Sequence, residues 1–292
     1  MKPDYKNWMP KGMIYAFLAA FLGCAAALAV FSLVLTEGTI KTVLTIVFAV
    51  LTLLFCVLTK WSILMYRAFD YNGKRKMAKQ IIDGTAAYVK LPEGGKCLDV
   101  GCGSGALSIA VAKRNPKAEV IGIDRWGREY ASFSKTLCEN NAKAEGVKKI
   151  SFRQGDATHL DFADETFDAV CSNYVYHNIP GDRQKYLLET LRTLKKGGTF
   201  ALHDIFSKSK YGDMQAFVKK LRDMGYQRVE LIDTTDGRFM KKSEAARMAL
   251  SGSALLTGRA ICWKPCARSK KAAPSPCTTS SPNPSTATCR PL

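Results

Sequence analysis

The chain has 292 residues but only three histidines, and none of its ten cysteines forms a C-x-x-C pair. Cys262 and Cys266 stand four apart with no histidine near them, which excludes the usual zinc-site spacings. Cys24 and Cys56 sit in apolar runs. Cys97, Cys102, Cys138 and Cys171 are scattered through the middle of the chain. The expectation is reduced, structural thiols. Acid is scarce as well: 25 Asp and Glu face 43 Lys and Arg, a formal net charge of +18. The excess is uneven, at +7 over 1–91, +7 over 92–264 and +4 over 265–292. The middle is therefore only mildly basic for its size. The excess of the first block flanks apolar segments, so no nucleic-acid partner is expected. The length excludes a disulfide-stapled mini-protein and suits one or two domains with a real core.

Charge is missing altogether from Gly12–Thr36 and from Thr42–Thr59. A helix must cross about 30 Å of hydrocarbon at about 1.5 Å per residue. The first run is long enough with room to tilt, and the second is near the lower limit. Thr36–Lys41 reads as a polar turn between them. Trp8, Tyr15, Trp61 and Tyr66 stand near the ends as interfacial anchors. Lys2, Lys6 and Lys11 precede this hairpin, and Lys60, Arg67, Lys74, Arg75, Lys76 and Lys79 follow it. The positive-inside rule then predicts an integral membrane protein with two spans and both flanks in the cytoplasm. A cleaved signal peptide is the alternative for the first run, but that run exceeds a usual apolar signal core and a second span follows. Trp61–Tyr71 either lies along the headgroups or opens the next domain.

The expected organisation is a cytoplasmic N-terminus (1–11), spans at 12–36 and 42–59, and a basic, aromatic juxtamembrane linker (60–75). A catalytic domain (76–264) and a disordered tail (265–292) follow. The tail holds six of the eleven prolines and no acid, a composition that cannot bury a core.

Within 76–264, short apolar runs alternate with helical patterns. Strands are expected at Lys96–Val100, Glu119–Ile123, Ile150–Arg153, Phe167–Ser172, Thr199–His203, Gln227–Ile232 and Gly258–Trp263. Helices are expected over Met77–Lys90, from near Ala106, Glu129 and Gln184, and over Tyr211–Met224. Asp233–Ser253 carries no clear pattern. The alternation predicts an α/β fold: a doubly wound, mostly parallel, seven-stranded, Rossmann-like sheet preceded by an α-helical transmembrane hairpin.

The first strand runs into Asp99-Val100-Gly101-Cys102-Gly103-Ser104-Gly105. Glycines there let backbone approach a ligand, and the next helix offers its N-terminal N–H groups. Gly101, Gly103 and Ala106 also fit a nicotinamide dinucleotide fingerprint. Strand two ends in Asp124, placed to accept ribose hydroxyls. Strand three ends in Gly155-Asp156-Ala157, and strand four in Cys171-Ser172-Asn173.

With these four motifs in order, the chain resembles the class I S-adenosylmethionine-dependent methyltransferases over roughly Lys76–Trp263. The resemblance implies that Asp99, Gly101, Cys102, Gly103 and Gly105 wrap the methionine part of S-adenosyl-L-methionine. It implies that Asp124 holds the ribose, and that Asp156 and Ala157 meet the adenine, with Arg125, Trp126 and Asn173 beside the cofactor. Trp126 either stacks on the adenine or packs as a core or rim aromatic. It implies a final antiparallel strand, which Gly258–Trp263 would supply.

Methyl transfer to a hydroxyl, thiol or ammonium needs a base. His177, His203 and Asp204 lie at the carboxyl ends of strands four and five, where such sheets open toward ligands. Tyr174 and Tyr176 either line the acceptor pocket or pack beneath the loop; His159 has no assigned role. Strand four lacks the [DN]-P-P-[FYW] of many amino-group methyltransferases, and no metal set of the catechol type is present. The expected acceptor is a small molecule or a lipid, met at high local concentration at the membrane. A membrane-anchored NAD-dependent oxidoreductase and a non-catalytic cofactor-binding scaffold are the competing readings.

Overall fold

The computed structural model describes residues 2–127 and 132–260. The 265–292 tail, Glu129 and Ile261–Trp263 lie outside the described residues.

Two long apolar helices open the fold: α1 (Lys11–Val34) and α2 (Thr39–Phe69). They pack side by side, with Phe31 against Phe48 edge to face at 5.0 Å. No side chain of α1 is buried, and Leu33 is 85% exposed and Leu53 67% exposed. Apolar side chains turned outward along the whole hairpin suit a lipid surround. The second helix differs from the expectation. It runs about 46 Å, well past a bilayer core. Its last turns, with Ser62, Met65, Ala68 and Phe69 buried, seat in the folded domain. Composition predicts a linker from residue 60, but Lys60–Phe69 continues the helix without a break.

The domain that follows contains α3 (Met77–Ala87), β1 (Lys96–Val100), α4 (Ala106–Arg114), β2 (Glu119–Asp124), α5 (Lys135–Ala144) and β3 (Ile150–Gln154). It continues with β4 (Phe167–Asn173), α6 (Arg183–Arg192), β5 (Leu194–Ile205), α7 (Lys208–Tyr211), α8 (Met214–Asp223), β6 (Tyr226–Asp233), α9 (Lys242–Arg247) and β7 (Ser253–Ala260). The seven strands order as β3-β2-β1-β4-β5-β7-β6. β1 to β5 pair in parallel, and β7 runs antiparallel to both β5 and β6. The doubly wound, mostly parallel, seven-stranded expectation is met.

Side-chain alternation explains the two faces. Leu98, Val170, Phe200, Leu202 and Leu256 point to one side, where Leu187 and Leu191 of α6 and Phe217 and Leu221 of α8 cover them. Cys97, Cys171, Ala201 and Leu255 point to the other, under Ile82 of α3, Leu107 of α4 and Cys138 of α5. Small residues on this second face let α3 and α4 lie close to the sheet. A third cluster joins Met65 and Phe69 of α2 to Met77 and Ile81 of α3 and to Phe239, Met240 and Leu250. This cluster ties the hairpin into the domain.

Some elements shift from their expected places. The helix expected from near Glu129 starts at Lys135, where the Ser134 hydroxyl accepts from the Leu137 N–H at 3.1 Å. β5 begins at Leu194, five residues before the expected Thr199, and takes in Lys195–Gly198. β7 begins five residues before the expected Gly258. The patternless Asp233–Ser253 segment folds into a loop closed by an Asp236–Lys241 bridge, then α9.

Candidate active site

Strand order reverses where β1 meets β4, and a crevice opens there beyond the strands' carboxyl ends. The cleft has a volume of about 770 Å³. Its floor is the loop after β1. Both Gly101 and Cys102 donate their backbone N–H to the Ile123 carbonyl, at 2.8 and 2.9 Å. The Gly103 N–H donates to Asp124 Oδ2 at 2.8 Å. The loop is therefore fixed from beneath by β2. Gly101 has φ +73°, and a Cβ there would lie 2.3 Å from a Val175 methyl. An alanine at 101 would clash and would also cost about 1–2 kcal/mol for a left-handed backbone. Gly101→Ala is expected to weaken S-adenosylmethionine binding at least tenfold by titration calorimetry, with Val175→Ala restoring part of the loss.

Asp99, Gly101, Cys102, Gly103, Asp124, Arg125, Asp156, Ala157 and Asn173 all line the cleft. Asp99 is buried. Its Oδ2 accepts from the Ser108 hydroxyl at 2.5 Å, while its Oδ1 has no hydrogen-bond partner. Burial pushes its carboxyl up to about 7. Asp156 Oδ1 accepts from both the Thr158 N–H and the Thr158 hydroxyl at 2.8 Å. The Thr158 backbone N–H is the main cause that holds its carboxyl below the usual range.

Two of the expected cofactor residues stand elsewhere. Gly105 is at the left-handed turn that caps α4, with φ +80°, and does not line the cleft. The Trp126 indole is turned under the loop. Its Nε1–H donates to the Gly103 carbonyl at 3.0 Å, and its ring packs on the α4/α5 side of the sheet. Of the two readings open for Trp126, its position is that of a packing aromatic: the indole braces the glycine loop.

The three acid–base candidates separate cleanly. His177 lines the cleft, in the 3-10 turn Tyr176–Asn178 after β4. Its Nδ1 meets Asp204 Oδ1 at 2.5 Å. Beside a carboxylate Nδ1 carries the proton, which leaves the Nε2 lone pair available. Asp204 does not line the cleft. It is buried beneath His177, and its Oδ2 accepts from the Tyr211 hydroxyl at 2.9 Å and the His177 N–H at 3.2 Å. It orients the imidazole. His203 is corrected from base to packing residue. It is buried away from the cleft, between Tyr174 and Phe239, and bonded to Asn173 Oδ1 at 2.8 Å and Thr234 Oγ1 at 3.0 Å. Burial drops it to about 3, too weak a base for the task.

Tyr174 lines the cleft, and its hydroxyl bonds Ser253 Oγ at 2.9 Å. Tyr176 packs beneath the loop against Thr190. His159 pairs with Asp156 in an isolated bridge and makes no contact with the cleft.

A methyltransferase-domain family model matches residues 91–248. The chain belongs to the class I S-adenosylmethionine-dependent methyltransferases. Bacillus subtilis demethylmenaquinone methyltransferase is 32% identical over 136 residues, covering 46% of this chain and 56% of its own. The ubiquinone/menaquinone biosynthesis C-methyltransferase UbiE of Desulfotalea psychrophila is 31% identical over 164 residues, covering 56% and 60%. The arsenite methyltransferase of Halobacterium salinarum is 29% identical over 128 residues, covering 44% and 31%. The chain spans about half the length of the curated relatives it matches. Among solved structures, geranyl diphosphate methyltransferase in complex with its cofactor aligns at 13% identity, over 67% of this chain and 94% of that one, with TM-score 0.48.

Membership of this family favours S-adenosylmethionine over a nicotinamide dinucleotide as the cofactor. The residues present fit that cofactor. An orphaned, buried carboxylate oxygen on Asp99 calls for a cationic partner, and a glycine cradle at 101 has no room for a Cβ.

Several residues that build the methyltransferase cleft are absent from the sequence-based set. Ser108, one turn into α4, partners Asp99. Tyr211 steadies Asp204 from 7 residues downstream. Neither spacing is a motif. Trp8, Met9, Met65 and Phe69 line the cleft from the two ends of the hairpin that meet the domain. The hydropathy pattern assigns Trp8 to the membrane interface, and nothing local in it points to the sheet.

Proposed function

We propose that this methyltransferase transfers a methyl group to a ring carbon of a membrane-borne, hydroxylated aromatic acceptor of the quinol type. One observation carries the reading: the cleft has a polar, carboxylate-lined end and an apolar end walled by Met65 and Phe69 of the second apolar helix. A water-soluble acceptor needs no such wall. The demethylmenaquinone and ubiquinone/menaquinone relatives support the same class. A soft, thiophilic acceptor such as arsenite favours several thiolates. Among the described residues Cys102 is the one thiol in the cleft wall, and burial pushes it up, away from thiolate.

In this reading Asp99 holds the cofactor's ammonium, the Gly101–Gly103 backbone its methionine chain, Asp124 its ribose, and Asp156 with Ala157 its adenine. Asp124 Oδ2 and Oδ1 already accept from the Gly103 and Trp126 N–H groups, so the carboxylate is pre-oriented. Arg125 and Asn173 complete the rim. Bound there, the cofactor supplies an electrophilic methyl on a sulfonium.

His177 Nε2 takes the acceptor's hydroxyl proton. Charge then builds on the adjacent ring carbon, which forms a bond to the methyl as the carbon–sulfur bond breaks. With the thioether as leaving group, the ring proton would pass to solvent water and aromaticity would return. Asp204 holds the imidazole through both steps. The cleft's main contribution is alignment of donor and acceptor. The hairpin spans the membrane with both ends in the cytoplasm, as the lysines and arginines beside residues 11 and 60–79 favour.

The test uses full-length protein in detergent micelles, with labelled cofactor and two acceptors: a reduced prenylated naphthoquinone and arsenite. Label is expected on a ring carbon of the quinol, stable to ether cleavage. Label on arsenic alone overturns the reading.

A further inference from the structure

The hairpin ends deserve a chemical account beyond anchoring. Residues 4–9 form a strap whose end, Trp8 and Met9, lines the cleft. Asn141 of α5 grips the strap at Asp4, accepting its N–H at 2.7 Å and donating to its carbonyl at 2.9 Å. The same side-chain amide donates to the Ser104 carbonyl of the glycine loop at 3.0 Å. Tyr5 is buried, bonded to Glu145 at 3.0 Å and packed on Tyr71 at 4.3 Å. Asn7 donates to the Tyr66 carbonyl of α2 at 2.7 Å. These contacts deliver Trp8 onto Phe69 at 5.3 Å and edge-on to Tyr174 at 5.6 Å. Trp8 and Met9 thus join Met65 and Phe69 in one apolar wall of the cleft.

The same wall leads toward lipid. The Trp61 indole donates to the Arg247 carbonyl at 2.8 Å, which sets Trp61 at the seam between domain and membrane. Met65 and Phe69 follow one and two turns later, about 6 and 12 Å along the axis. Leu64, on the same turn as Met65, is 61% exposed. Exposed apolar surface of α2 at Leu64 thus lies beside Met65 of the cleft wall.

Resting on the membrane-borne acceptor proposed above, we infer that the acceptor's hydrocarbon tail lies along the apolar wall that Trp8, Met9, Met65 and Phe69 form together, leading along α2 into the bilayer. The hairpin is then the tail-binding half of the active site. Its two ends set which acceptors are methylated.

The test photolabels the full chain in phosphatidylethanolamine/phosphatidylglycerol vesicles with a farnesyl ether bearing a benzophenone at its tail. Adducts are expected at Met9 and Met65 and are expected to fall at least fivefold with excess geranylgeraniol. Loss of these adducts to oleyl alcohol but not to geranylgeraniol keeps the tail site and makes its natural occupant an acyl chain. Adducts only along the lipid-facing spans, or adducts at the two methionines displaced by neither alcohol, overturn the inference. A kinetic arm compares reduced naphthoquinones with and without a prenyl tail. The tailed-to-tailless ratio of kcat/KM is expected to fall at least fivefold in Phe69→Ala, and an unchanged ratio counts against the tail site. If the wild-type chain methylates neither ring, the acceptor reading fails, while the labelling still decides the tail site.

Discussion

His177→Ala is expected to lower kcat by about 10²–10⁴-fold, the usual contribution of a positioned acid–base group. The cofactor Kd should hardly move, because His177 bonds to none of the residues assigned to the cofactor. Added imidazole should restore part of the rate by filling the space left at Nε2. Asp204→Asn separates base from orienter. The His177–Asp204 contact is 2.5 Å, and Asp204 also accepts from Tyr211 at 2.9 Å. An amide at 204 presents either its oxygen or its N–H to Nδ1, and the second choice turns the lone pair away from Nε2. A fall in kcat with KM for the acceptor little changed is the expected signature. Tyr211→Phe should show the same effect more weakly. Steady-state kinetics on the full chain in micelles provides the measurement; equal kcat for wild type and His177→Ala would remove the base from the account.

The second large effect concerns Asp99. Burial raises it to about 7, so near neutrality a large share of the protein without cofactor carries a proton there. A cationic ammonium against Oδ1 needs the carboxylate. Binding must therefore expel that proton, and affinity should fall as pH drops below 7, approaching tenfold per unit. Titration calorimetry at pH 6 in buffers of different ionisation enthalpy should show close to one proton released. Asp99→Asn should abolish the release and weaken binding by about 10–100-fold, the range for an unpaired buried charge contact. The sign for folding is opposite. The folded pKa lies above the unfolded one, so the fold keeps a proton that the unfolded chain has lost between about pH 4 and 7. Stability of the cofactor-free protein from this group is thus full below pH 4 and drains by about 1.4 kcal/mol per unit as pH rises toward 7. Cofactor offsets that loss, so its thermal shift should grow from pH 6 to pH 7.5.

Much of this was legible in the sequence for clear physical reasons. The loop from Asp99 to Gly105 needs glycines where φ is positive, and the acids at 124 and 156 follow short apolar strands, so local chemistry marks them. The hairpin shows through length and missing charge alone. What stayed hidden depends on contacts far apart in sequence. Asn141 grips Asp4 across 137 residues. The end of α2 had its signal, since Ser62, Met65 and Phe69 recur at helical spacing. Lys60, Trp61 and Arg67 beside them look like a membrane flank and mask that signal. His177 and His203 are equivalent by position at strand ends. Only packing, with Phe239 and Thr234 closing over His203, tells them apart. β7 was displaced because Ile261-Cys262-Trp263 is apolar, while Ser253 at its true start resembles a loop residue.

The most direct measurement incubates the full chain in native membranes with cofactor labelled on its methyl group, then partitions the products between organic solvent and water. The account predicts label in the organic phase, on a molecule with an aromatic ring and a hydrocarbon tail, and about a hundredfold less or lower still when His177 is alanine. Label that stays in the aqueous phase on a small polar product would contradict it.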